Sequence, residues 1–147
     1  MSGRPGPPNT FQTGPVRLRQ IALVAKDLQK ARDLLTDVLG TEVIYVDPVV
    51  GQWGLENFLI AVGGEVIEVV SPTKPGTAAG RTLDKRGDGG YMIIMQHPDA
   101  QQRREFIEKR DLAKVIFSHK GETSVGVQYH PKGIKGLFRG LNQDRIW

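Results

Sequence analysis

Between Val16 and Val24 apolar and polar positions follow the two-residue period of a strand, with Gln20, Ala22 and Val24 on one face and Ile21 and Leu23 on the other. The period then changes. Asp27 is suited to cap a helix, because its carboxylate can accept the free N–H groups of a first turn, and Leu28, Ala31, Leu34, Leu35, Val38 and Leu39 recur at helical spacing until Gly40 supplies a stop. Three more strands are predicted: Glu42 to Asp47, Leu55 to Val62 and, after the Gly63-Gly64 turn, Glu65 to Val70. The order is βαβββ. In the last strand, alternation puts Val66, Glu68 and Val70 on one face, a carboxylate between two valines.

The same order returns further on. Tyr91 to Gln96 reads as a strand, Asp99 caps a helix that turns Phe106 and Ile107 inward, and Ala113 to Ser118 and Thr123 to Tyr129 follow as strands around Gly121. The loop His130-Pro131-Lys132-Gly133 leads to a last strand, Leu137 to Leu141. A shift of 72 positions, Gln20 to Met92, lays one half on the other without a gap: Ile21 on Ile93, Asp27 on Asp99, Val43-Ile44-Tyr45 on Val115-Ile116-Phe117, Gly64 on Gly136. A unit duplicated in this way must pack against its copy, since each half alone leaves a sheet face uncovered. The reading is one α+β domain over residues 16–141, made of module one (16–71), a Gly-, Pro- and charge-rich linker (72–89) read as a surface crossover, and module two (90–141). Residues 1–15, with Pro5, Pro7, Pro8 and Pro15 among Gly, Ser and Thr, read as a flexible arm, and 142–147 as a tail.

Composition narrows the partners. With 39% hydrophobic and 24% charged residues the chain can fill a core, and a net charge of +4 is spread rather than clustered, against a nucleic-acid footprint. No apolar run approaches the roughly 20 residues that span a bilayer, so no membrane partner is expected. The absence of cysteine removes thiolate metal sites, disulfides and cysteine nucleophiles, and fits a cytoplasmic location.

The stretches Arg19-Gln20-Ile21-Ala22-Leu23-Val24 with Asp27-Leu28, Val66-Ile67-Glu68-Val69-Val70-Ser71-Pro72, and His130-Pro131-Lys132-Gly133-Ile134-Lys135-Gly136 together resemble the vicinal oxygen chelate superfamily, which includes glyoxalase I, extradiol dioxygenases, methylmalonyl-CoA epimerase and bleomycin resistance proteins. The resemblance implies two paired βαβββ modules whose strands form an open, bowl-shaped mixed sheet with helices outside. It also implies a divalent metal ion held by a His, Gln or Glu on the first strand of each module and a carboxylate on each last strand. Gln20 and Glu68 match those positions; Met92 and Gly140 do not. A thioether is a poor ligand for a hard cation, glycine has no side chain, and two ligands fall short of the usual three or four. No cofactor is therefore expected, a divalent ion on Gln20 and Glu68 being the alternative.

The leading expectation is a metal-independent, glyoxalase-like small-molecule-binding protein with a degenerate metal site. Its pocket is lined by Phe58, Met92, Ile94, Tyr129, His130 and Phe138, with Gln20 and Glu68 as orienting polar groups. The alternatives are an active lyase, isomerase or dioxygenase with Glu68 as base or metal ligand, and an interaction module with a vestigial site. A homodimer is the candidate assembly. Burial between valines disfavours a charged carboxylate, which suits Glu68 to a catalytic role and predicts that glutamine in its place leaves stability unchanged or slightly higher. His97 and His119 read as exposed.

Overall fold

A computed structural model describes residues 16–122 and 124–130. Strand β1 (Arg17–Val24) leads through Asp27 into helix α1 (Leu28–Leu39). The Asp27 carboxylate accepts the Lys30 N–H at 3.0 Å, and Gly40, at φ 61°, ends the helix in the left-handed conformation that a side chain would strain. The chain continues as β2 (Val43–Tyr45), a 3-10 helix (Pro48–Trp53), β3 (Leu55–Val62) and β4 (Glu65–Pro72). Beyond β4 come α2 (Ala78–Arg86), β5 (Gly89–Gln96), α3 (Ala100–Lys109), β6 (Val115–Lys120) and β7 (Val125–Tyr129). The predicted strand Leu137 to Leu141 lies outside the described residues.

From residue 18 onward the described residues divide into two compact units, 18–95 and 96–130. The first holds a five-stranded open sheet in the order β2-β3-β4-β1-β5. Strands β1 and β4 run parallel, with Gln20 opposite Val66 and Ala22 opposite Glu68, while β3 is antiparallel to β4, with Asn57 opposite Val70 and Leu59 opposite Glu68. The sheet is therefore mixed, and the first strand of the second repeat joins the sheet of the first. In the second unit β6 and β7 form an antiparallel pair.

Two apolar clusters hold the first unit. On one side of the sheet Ala25, Phe58, Ile60 and Val69 pack under Leu28, Ala31 and Leu35 of α1. Phe58 is 2% and Ile60 0% exposed, and full burial of such side chains stabilises by about 1.5–3 kcal/mol each. The helix stripe is narrower than its sequence predicts: Leu34 and Val38 are 55% and 77% exposed, because only the i, i+3, i+7 row meets the sheet. The second cluster joins Val24, Val70 and the fully buried Ala79, with Leu55, Leu83 and Tyr91 packed on it. Its cover is α2, inside the stretch read as a bare crossover. Thr77 starts that helix by accepting the Gly80 N–H at 2.9 Å.

Candidate functional site

Glu68 sits on β4, the middle strand of the trio β3-β4-β1, so both flanking strands present side chains to it. In β1, Gln20 lies one step along the same face, opposite Val66; in β3, Asn57 lies one step the other way, opposite Val70. These are the diagonal neighbours that long side chains reach. The Gln20 Nε2 donates to Glu68 Oε2 at 2.5 Å and the Asn57 Nδ2 donates to Oε1 at 2.6 Å. The Asn57 Oδ1 in turn accepts the Asp47 backbone N–H at 2.9 Å. Gln20 is 9% and Asn57 3% exposed, with Glu68 half-buried between them.

The carboxylate expected between two valines is thus clasped by two neutral amides. That changes its energetics. N–H donors compensate the charge that burial disfavours, so the predicted indifference of stability to glutamine at this position is replaced by an expected cost. Among the described residues Glu68 has no ion-pair partner, and each of its oxygens, holding one N–H, keeps acceptor capacity toward a ligand. Tyr91 packs on the neighbouring Val24, Val70 and Ala79 cluster. Burial pushes its phenol above the ordinary tyrosine range; the Glu68 charge adds to the rise and Arg81 opposes it.

Of the other predicted pocket residues, Phe58 is corrected. It pairs with Val69, one step out of phase with Glu68, and so points to the α1 side of the sheet, into the core. Met92 and Ile94 are half-buried on β5, beside β1. Tyr129, half-buried on β7, and His130, exposed after it, belong to the second unit. Burial raises the Tyr129 phenol, helped by Glu108 and opposed by Arg104 and Arg103. Phe138 and Gly140 lie outside the described residues. His97, read as exposed, is half-buried, and its Nδ1 accepts the Asp99 N–H at 3.1 Å at the start of α3. Within the second unit, a groove of about 510 Å³ runs past Arg104, Glu108, Lys114, Ile116 and Phe117, and carries none of the predicted site residues.

The donor set at Glu68 fits a divalent ion poorly. Glu68 brings a single carboxylate, and Asn57 is held with its nitrogen toward it because its carbonyl accepts the Asp47 N–H. Turning the Gln20 amide would add only one oxygen, so the set falls short of the roughly three or four protein ligands a divalent ion usually takes. No cluster of three or more His, Asp or Glu residues with metal-binding placement occurs among the described residues. No helix among them is long and apolar enough to cross a membrane.

Asn57 is the site residue that sequence reasoning missed. Its signal was present: a lone amide among Leu55, Phe58, Leu59 and Ile60 has to find a partner if the strand is buried. No protein-family model matches the chain, and no curated protein matches it in sequence. Solved structures do match. A variant of the methylmalonyl-CoA epimerase of Streptomyces coelicolor in complex with 2-nitronate-propionyl-CoA superposes with a TM-score of 0.71 at 21% identity, over 80% of this chain and 86% of that one. The methylmalonyl-CoA epimerase of Mycobacterium tuberculosis gives 0.71 at 21% identity over 84% and 83%. A hypothetical protein of Bacillus halodurans gives 0.73 at 15% identity over 80% and 86%. The α+β architecture with its open mixed sheet is thus the fold of the methylmalonyl-CoA epimerases, proteins of the vicinal oxygen chelate (glyoxalase-like) superfamily.

Proposed function

We propose that this chain is a metal-independent small-molecule-binding protein of glyoxalase-like fold, in which Glu68 orients the ligand. The observation that carries the reading is the clasp of Glu68 by Gln20 and Asn57 on one face of the sheet. A carboxylate fixed from both sides is pre-organised, so a ligand hydroxyl, amide or ammonium group that donates to it finds the acceptor already in place. The donor set favours such an organic donor over a hard divalent ion.

A second reading, an isomerase acting on an acyl-CoA ester, draws on the likeness to methylmalonyl-CoA epimerases, one of them solved with methylmalonyl-CoA and NH4+. Epimerisation removes a proton from one side of a carbon and returns one on the other, so it needs proton-carrying groups on two sides. Glu68 supplies one; its counterpart by the repeat, Gly140, supplies none. Binding is therefore the better-supported function.

The test is a thermal-shift screen of protein purified without chelator, against acyl-CoA esters, polyols and small amines, with and without EDTA. A ligand present at about 100 times its Kd stabilises by about 2.7 kcal/mol, a shift of several degrees. The expected result is a shift that survives EDTA and is lost in Glu68→Gln. A shift abolished by EDTA, or none with any compound, overturns the reading. Deuterium incorporation into methylmalonyl-CoA in D2O by the wild type but not by Glu68→Gln establishes the isomerase instead.

A further inference from the structure

We infer that Asn57 is the positioning residue of this site, a rigid bracket that sets the orientation of Glu68 and ties it to the segment carrying the 3-10 helix; the inference rests on Glu68 being the ligand-orienting group. The two amides on Glu68 are not equivalent. Among the described residues Gln20 makes one side-chain hydrogen bond, so its amide can rotate by half a turn and offer oxygen in place of nitrogen. Asn57 makes two, and they use its two ends: Nδ2 to Glu68 and Oδ1 from the Asp47 N–H. Turning it over would set N–H against N–H at Asp47 and oxygen against oxygen at Glu68. At 3% exposure no water replaces either partner. Its amide therefore has one allowed orientation, and that orientation presents a donor to Glu68.

The far end of the bracket is itself fixed. Asp47 caps the 3-10 helix Pro48–Trp53, its carboxylate accepting the Val49 N–H at 2.9 Å, and Gly54 closes the turn at φ 71°. The backbone that bonds Asn57 is thus the start of an ordered segment that ends in Trp53. A displacement of this segment by a ligand or a substitution moves the Asp47 N–H, and through Asn57 it moves the acceptor that a ligand meets at Glu68.

A double-mutant cycle between Asn57→Asp and Glu68→Gln tests this on the protein alone. With Glu68 in place, Asn57→Asp keeps an acceptor for Asp47 but sets carboxylate against carboxylate. With Glu68→Gln, the same substitution restores one donor and one carboxylate across the same gap. The expected result is a fall in Tm of at least about 5 °C for Asn57→Asp alone and less than half of that in the Glu68→Gln background. Trp53 supplies a second readout. With Trp147, the chain's other tryptophan, replaced in Trp147→Phe, the emission maximum of Trp53 should move in Asn57→Ala and return toward the wild-type value in Asn57→Asp/Glu68→Gln. Equal losses of Tm in both backgrounds, or Trp53 emission that ignores Asn57, overturn the inference. If Asn57→Asp folds only together with Glu68→Gln, the coupling is demonstrated outright. Neither readout uses a ligand, so a failed ligand screen leaves this result standing, and an additive cycle leaves the binding reading standing.

Discussion

Removal of the Glu68 side chain should be among the costliest single changes outside the apolar core. Glu68→Ala leaves two amide donors without an acceptor, on residues that are 9% and 3% exposed. A buried donor deprived of its partner costs about 1–3 kcal/mol, so the pair costs about 2–6 kcal/mol. For a chain of 147 residues each kcal/mol lowers Tm by roughly 2–4 °C, which places the variant about 5–20 °C below the wild type. Glu68→Gln should be far milder. It keeps one acceptor for Asn57, and Gln20 can turn its amide to accept from the new one, leaving a net loss of about 0.5–1.5 kcal/mol as charge-assisted bonds become neutral ones. The assay is urea denaturation at pH 7 with thermal melts alongside, reading the midpoint at unchanged m. If Glu68→Ala lies within about 0.5 kcal/mol of the wild type, the amides find solvent or each other, and the account of the clasp is wrong.

Three other outcomes can be checked directly. Tyr91 has its phenol raised above 10.0 chiefly by burial, so the folded state holds the proton more tightly; its contribution to stability is complete below about pH 10 and is lost as pH rises through the raised value, and denaturation between about pH 9 and 11 should show a shallower decline in Tyr91→Phe. Phe58→Ala should destabilise by about 3–5 kcal/mol through the cavity left in the α1-side core, while the folded fraction binds ligand with unchanged affinity because Phe58 faces away from Glu68; weakened binding would place it back in the pocket. Elemental analysis of protein purified without chelator should find less than one divalent ion per chain, and EDTA should leave Tm unchanged; one tightly held ion lost in Gln20→Ala would refute the metal-independent reading.

The local signals in the sequence were reliable where backbone chemistry enforces them. Asp27 and Gly40 bound α1, Asp99 starts α3, and Gly63 turns β3 into β4 at φ 72°. What the sequence states weakly is which neighbour covers a surface. Helix α2 offers few apolar residues, of which Ala79 and Leu83 make its contact, so its composition reads as linker until Val24 and Val70 are seen beneath it. Apolar character alone places Phe58 in the pocket. Counting outward from the Gly63-Gly64 turn, which sets Val62 opposite Glu65, puts Phe58 opposite Val69 and so on the face away from Glu68. The same count brings Asn57 to the Glu68 face. The pairing of β1 with β4, which brings Gln20 to Glu68, has no such local marker, and only the resemblance to a known fold points to it.

The two bonds on Glu68 span unequal lengths of chain, and this gives the site an order of assembly. Asn57 is 11 residues from Glu68, within one hairpin, whereas Gln20 is 48 residues away across a parallel pairing that must wait for α1 to cross over. Closing the longer loop costs more chain entropy, and non-local parallel pairing is the slower event. During folding the hairpin should therefore carry a half-made site, with Asn57 already on Glu68 and the Gln20 side open. Substitutions at Asn57 should slow folding, with φ-values near those of the β3–β4 hairpin, while those at Gln20 should chiefly speed unfolding. The reverse ranking would mean that β1 docks first. A nascent chain released before β1 docks would expose the apolar faces of both strands, so the last step that completes the binding site is also the one that protects the chain from aggregation.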